Sequence, residues 1–184
     1  MVQVTLKGGV VREYEAGTTV AEIAKSLGAG LYKSACAGMI DGRVVDLRTP
    51  VTDDCALSIL TFQDEEGKRA YWHTTSHILA QAVTRLFPGA VLAIGPAIDT
   101  GFYYDFDLER TFSPEDLTAI EAEMKKIIKE DLPIERFELA PDAAKALMEE
   151  QGQKYKVELV EEHASEGEPI SFYRQGEFTD LCAG

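Results

Sequence analysis

Polar and apolar positions alternate from the first residues of the chain. VQVTL (Val2–Leu6) and VVREYE (Val10–Glu15) carry the period of two that marks half-buried strands. Lys7-Gly8-Gly9 between them supplies the glycines a tight hairpin needs at positive φ. The period then changes: Val20, Ile23, Ala24 and Leu27 recur at helical spacing behind a Thr19/Glu22 capping box, and Gly28-Ala29-Gly30 stops the run. ACAGMI and RVVDL flank Asp41-Gly42, a type I′ hairpin signal, and CALSILT adds a last strand.

That order, ββαβββ within residues 1–62, matches a small ubiquitin-like β-grasp domain. Gln63-Asp64-Glu65-Glu66-Gly67-Lys68 has the composition of a linker or of a long helix start. A helix is expected from about Ala70 to Phe87, with Ile78, Leu79, Ala82, Val83 and Leu86 as its buried stripe and Pro88-Gly89 ending it. AVLAI and FYYDFD read as strands separated by Gly95-Pro96 and Asp99-Thr100-Gly101. Ser113 as cap, Pro114 at the first helical position and Glu115/Asp116 in the first turn open another helix, and Lys125, Lys126 and Lys129 complement its far end. A shorter helix around Pro141–Gln151 stops at Gly152, and YKVELV and ISFYRQ read as strands. The fold class is α+β, with domains at 1–62 and 63–184 and no internal repeat.

Charge separates the two halves. Of the net −14, residues 1–62 carry −1 (six basic, seven acidic) and residues 63–184 carry −13 (twelve basic, twenty-five acidic). Such acidity opposes broad docking on a phosphate backbone, so a nucleic-acid substrate would be touched only at a short end. Acidity serving solubility alone is an equally good reading. No stretch approaches an uncharged apolar membrane span and no signal-like start is present, so a soluble chain without membrane partners is expected. Cys36, Cys55 and Cys182 are odd in number and far apart, which suits a reducing cytoplasm and not a disulfide framework.

His73 and His77 lie one helical turn apart, so their imidazoles share a face. Such a pair can ligate a metal, or one ring can act as base while the other orients it. By composition, some His-x-x-x-His pair arises by chance in roughly one chain in ten of this length. His163 is placed in an acidic loop without a similar partner. Cys182 is either a small buried hydrophobe or a third soft ligand, one short of a closed zinc site. Lys156, alternating with Tyr155, Val157 and Leu159 on the expected strand, would project away from them, and most such lysines are solvated. Gly95-Pro96 and Tyr103-Tyr104-Asp105 read first as a turn and as half-buried strand positions.

Taken together these motifs resemble the N-terminal region of threonyl-tRNA synthetases. The resemblance runs through Trp72-His73-Thr74-Thr75-Ser76-His77, Ile94-Gly95-Pro96-Ala97-Ile98-Asp99-Thr100-Gly101-Phe102-Tyr103-Tyr104-Asp105, Lys154-Tyr155-Lys156-Val157-Glu158-Leu159 and Phe172-Tyr173-Arg174-Gln175-Gly176-Glu177-Phe178-Thr179-Asp180-Leu181-Cys182. It covers essentially the whole chain. Residues 1–62 look like the TGS domain. Residues 63–184 look like the editing domain shared by threonyl and alanyl synthetases, an antiparallel sheet with flanking helices.

The resemblance implies hydrolysis of serine wrongly esterified to threonine tRNA. His73 and His77 would hold the ribose hydroxyl and the water, with His73 the direct participant. Lys156 would stabilise negative charge or position water, and Asp180 would bind serine's amino or hydroxyl group. Tyr104 would shape the pocket, Cys182 would line its ester end, and the backbone at Gly95 would approach the substrate closely. No metal or other cofactor is implied for these domains. The family's Leu-Cys-x-Gly-Pro-His run is cut after Gly184, so the editing domain is expected to be truncated. The ATP, magnesium and zinc of such synthetases belong to a synthetic core the chain lacks, as does the surface through which the family homodimerises. The implied partners are the 3′ aminoacylated end of tRNA(Thr) and the rest of the synthetase. Two other readings stand beside this one: a zinc-dependent deacylase using His73, His77 and Cys182, and a non-catalytic module that binds RNA or a partner.

Overall fold

The computed structural model describes residues 1–98 and 100–182, which divide into two compact units, Met1–Trp72 and His73–Gly184. The turn expected at Asp99 and the motif's Ala183-Gly184 end lie outside the described residues.

In the first unit, strands β1 (Val2–Leu6), β2 (Val11–Tyr14), β3 (Thr18–Thr19), β4 (Ala35–Ile40), β5 (Arg43–Val45), β6 (Pro50–Val51) and β7 (Cys55–Thr61) accompany helices α1 (Val20–Leu27) and α2 (Ala29–Ser34). The main sheet runs β2-β1-β7-β4-β5, with β1 and β7 parallel at its centre. Thr19 caps α1 in a reciprocal box with Glu22, and Asp41 and Gly42 both take positive φ, +48° and +83°, as a type I′ turn requires. Val2, Val4, Val20, Ile23, Val51 and Leu57 form the core, the alternate residues of β1 facing the apolar stripe of α1. Gly28 ends α1 as expected, but a second short helix, α2, follows at once where only a stop was expected.

Helix α3 (Glu65–Leu86) starts earlier than Ala70, so Gln63–Lys68 contributes a helix start and not a free linker. The second unit continues with short strands β8 (Val91–Leu92), β9 (Ala97–Ile98), β10 (Gly101–Phe102) and β11 (Phe106–Asp107), then α4 (Pro114–Glu130) and β12 (Ile134–Leu139). Helices α5 (Pro141–Glu150) and α6 (Lys154–Glu166) lead to β13 (Ile170–Gln175) and β14 (Phe178–Leu181). Strands β12, β13 and β14 form an antiparallel sheet in that order. Its Phe172 and Leu181 side packs on α5 and α6 through Ala144, Met148 and Val160. A separate core gathers Ile78, Ala82 and Val83 of α3 with Ile120 and Ile127 of α4.

The local structure corrects the sequence reading at three places. YKVELV is the start of helix α6, not a strand. Its apparent alternation is too short to outweigh the helical spacing of Gln153, Lys156 and Val160, which are buried, and Gly167 in the left-handed region then closes the helix. His163 therefore lies on a helix and not in a loop, and its Nδ1 is 2.7 Å from Glu168 Oε2. IERFEL forms β12, unmarked in the sequence because charged residues interrupt its apolar alternation.

Candidate active site

Beside the Ile78, Ala82 and Val83 core face of α3, His73, His77 and Gln81 form a stripe of residues four apart, and that stripe meets the β13–β14 hairpin. Cys182 follows β14. Its N–H donates to the Ser171 carbonyl at 3.0 Å, and the Ser171 hydroxyl donates back to the Cys182 carbonyl. This exchange extends the ladder one rung and aims the thiol at α3. Cys182 Sγ lies 2.7 Å from His73 Nε2, which lies 3.0 Å from His77 Nε2. The two rings stack with centroids 4.9 Å apart, and only one proton can sit between the facing nitrogens.

Two residues back on the same strand face, Asp180 is 1% exposed. Its Oδ2 accepts the Tyr104 hydroxyl at 2.6 Å and lies 3.2 Å from His77 Nδ1, within charge contact but not aligned as a hydrogen bond. Its Oδ1 lies 3.0 Å from Lys156 Nζ, which also donates to the Leu181 carbonyl at 3.5 Å. Lys156 is thus buried, not the solvated surface lysine that its supposed strand position suggested. The Tyr104 ring rests on Gly95, where an added Cβ would come within 2.1 Å of Cδ2. The space left by the missing side chain therefore holds Tyr104 itself.

These contacts set the charges. Burial opposes ionisation of Asp180, yet His77, Lys156 and Tyr104 overcome it and hold the carboxyl at about 2. Burial likewise disfavours the His77 imidazolium, but Asp180 and Cys182 raise it from 6.5 to about 9. Burial would raise the Cys182 thiol; His73 and His77 instead lower it from 9.0 to about 6. Tyr104 is pushed well above its usual range by burial and then by the Asp180 charge, so it stays a hydrogen-bond donor. Near neutral pH the site holds a thiolate beside an imidazolium, and a carboxylate beside an ammonium.

All seven side chains or positions singled out in the sequence lie in this one network, Gly95 through Tyr104. His73, His77 and Cys182 also bring three ligand atoms within 4.8 Å of one another, the donor types zinc takes, one short of a closed tetrahedral set. A second group, His163, Glu166 and Glu168, lies toward the C-terminal end of α6. Surface hollows along Phe106–Phe112 and between Ile94 and Leu159 include none of the clustered side chains.

Sequence reasoning missed Ser171, and nothing in its surroundings marks it. It also missed Tyr173 and Phe178, whose rings lie 6.0 and 6.4 Å from His77. Gln81 and Arg85 were missed although the four-residue step from His73 through His77 points to both.

Comparison with known proteins places these residues in context. Residues 2–61 match the TGS domain, a ubiquitin-like β-grasp. The chain is 60% identical over all 184 residues to the threonine–tRNA ligase of Acetivibrio thermocellus, covering 29% of that protein. It is 60% identical over 181 residues to that of Caldanaerobacter subterraneus subsp. tengcongensis, covering 98% of this chain and 28% of the relative. It is 58% identical over its full 184 residues to that of Clostridium botulinum, again covering 29% of the relative. The chain thus spans less than a third of the length of these relatives, and the similarity falls on their N-terminal region.

Proposed function

We propose that this chain, similar along its whole length to the N-terminal region of threonine–tRNA ligases, hydrolyses the ester of serine wrongly joined to tRNA(Thr). The observation that carries the reading is the buried Asp180, which holds Lys156, His77 and Tyr104 together beside the His73–Cys182 contact. The chemical need is plain. Serine lacks one methyl relative to threonine, a difference worth about 1–3 kcal/mol, so a second pocket that rejects threonine must remove the error.

Water attacks the ester carbonyl, and His73 takes its proton as general base. An ammonium has three N–H donors, and Lys156 uses two on Asp180 and Leu181, leaving one for the oxyanion. The bond to the ribose oxygen then breaks, and that oxygen takes up the proton. A carboxylate offers about four lone-pair sites, so Asp180 retains one for the serine ammonium. Tyr104 walls the pocket, and Cys182 lines its ester end. Because only the terminal adenosine enters, the acidic charge of this half is compatible with a tRNA substrate. As part of a longer ligase that charges tRNA(Thr) with threonine using ATP, the site would proofread that product. Magnesium and zinc would act only in the synthetic part, and the protein would work in the cytoplasm.

The test is deacylation of seryl- and threonyl-tRNA(Thr) by this chain and by a version extended past Gly184. Preferential loss of serine is expected, abolished by His73→Ala. Equal hydrolysis of both esters, or of neither by the longer version, refutes the reading. The convergence of three soft ligand atoms favours one other reading, a zinc-dependent deacylase. Stoichiometric zinc in protein purified without chelators, with activity lost on its removal, would decide for that one.

A further inference from the structure

Helix α3 and the β13–β14 hairpin meet in a regular ladder. Along the helix, His73, His77, Gln81 and Arg85 follow at steps of four. Their partners descend the hairpin in the opposite direction: Cys182, then Asp180, then Glu177 with the Gln175 carbonyl, then Glu177 again. Four helical residues advance about 6 Å. Two strand residues advance about 6.6–6.8 Å. The first two rungs therefore stay in step, His73 meeting Cys182 and His77 meeting Asp180, while Gln81 and Arg85 meet the hairpin turn at Glu177. Phe178, between Asp180 and the turn, packs against Ala80 and has no polar partner to offer.

The end of the ladder away from the reactive groups is bonded by charge and by a buried amide. Arg85 Nε donates to Glu177 Oε1 at 2.5 Å and Nη2 to Glu177 Oε2 at 3.2 Å, while the same guanidinium meets Glu123 and Glu130 of α4. Gln81, fully buried, donates Nε2 to the Gln175 carbonyl and to Glu177 Oε1, each at 3.2 Å. Arginine does not deprotonate in proteins, so this end keeps its charge at any working pH. At the other end Asp180 is tied to Lys156 and Tyr104, and Cys182, just beyond the four residues of β14, exchanges hydrogen bonds with Ser171.

We propose that Glu177, gripped by Arg85 and Gln81, is a positioning residue that fixes the register of β14 against α3. It thereby sets the distances from Cys182 and Asp180 to the two histidines. Arg85 lies twelve residues from His73, about 18 Å along the helix, so it need not touch substrate. A hairpin free to rock on α3 would move Cys182 and Asp180 by fractions of an ångström. Misplacement of reacting groups on the scale of 1 Å, caused from a distance, can cost about a hundredfold in rate. The consequence for catalysis rests on the editing reading above; the geometric claim does not.

The experiment compares wild type, Glu177→Ala and Glu177→Gln by two measurements. One is kcat and KM for seryl-tRNA(Thr) deacylation. The other is the pH dependence of Cys182 alkylation by iodoacetamide, followed on the tryptic peptide. For Glu177→Ala, kcat should fall about ten- to a hundredfold with KM within about twofold. The alkylation midpoint should move upward as the thiol loses its imidazole contact. Glu177→Gln keeps one acceptor oxygen, which Arg85 Nε and Gln81 Nε2 can share as they share Oε1, and should recover part of both. If Glu177→Ala fails to fold, Arg85→Gln breaks the same contact from the helix side and is judged by the same criterion. An unchanged Cys182 midpoint overturns the proposal, even where the melting temperature falls, because the clamp would then serve stability alone. If the version extended past Gly184 hydrolyses neither ester the functional reading fails, and the alkylation midpoint alone still decides the clamp.

Discussion

Lys156 Nζ lies 3.0 Å from Asp180 Oδ1, and the two side chains are only 6% and 2% exposed. A buried pair of this kind adds little net stability against an apolar substitute, but removing one member strands the other's charge. Asp180→Ala should therefore cost about 3–5 kcal/mol in urea unfolding. The sign with pH follows from a depressed carboxyl. Stability from Asp180 is present above its ordinary 3.8 and is lost as pH falls through about 2. A cost under about 1 kcal/mol would mean that water reaches the pair.

Cys182 should alkylate along a pH profile with a midpoint of about 6, whereas burial and nearby carboxylates raise Cys36 and Cys55 above the ordinary 9.0. At pH 7 iodoacetamide should therefore favour Cys182 over the others wherever access is equal. His73→Ala should shift the midpoint upward. The sign for stability is that of a depressed group: Cys182's contribution is present above 9.0 and lost as pH falls through about 6. His77 has the opposite sign, contributing below 6.5 and losing that contribution as pH rises through about 9. Mass spectrometry of the three cysteine peptides across pH tests the order.

Gly95→Ala should destabilise by about 1–3 kcal/mol, because the new methyl must displace the Tyr104 ring. Displacing the ring also breaks its hydrogen bond to Asp180. In the Tyr104→Phe background that hydrogen bond is already gone, so the cost of Gly95→Ala should be smaller. Equal costs in the two backgrounds, read by thermal unfolding, would show that the ring moves without disturbing Asp180.

Lys156→Gln should lower kcat for seryl-ester hydrolysis by about a hundred- to a thousandfold, the usual loss of one preorganised donor to an oxyanion. The preference for serine over threonine should persist, since pocket shape and not this cation excludes the extra methyl. Single-turnover deacylation of both esters measures the two effects apart.

Much of the first unit was legible because its signals are local. A capping box, a type I′ turn and period-two strands act within a few residues, and Thr19/Glu22 and Asp41-Gly42 take the conformations their chemistry dictates. The Ser113 cap with Pro114 was legible for the same reason, and Asp116 completes its box. The second unit was harder to read. Five alternating residues from Tyr155 to Leu159 mimic a strand, and the helical period shows only when Gln153 and Ala164 are counted too. The strand β12 is hidden by charged residues that its place in the sheet tolerates.

The sequence alone determined that His73 and His77 share one helical face, since a spacing of four on an α-helix permits no other arrangement. The motif resemblance also groups the seven candidate positions. Only the tertiary structure decided which of them touch. Cys182 meets His73 across 109 residues of chain, and Tyr104 meets Asp180 across 76. No local preference encodes such contacts. They arise because the advance of α3 over four residues nearly equals that of β14 over two, which brings His73 to Cys182 and His77 to Asp180. Burial of Lys156 was decided in the same way, by which face of α6 the sheet covers. The histidine pair is a property of one helix; the charge network around it is a property of how helix and hairpin are packed.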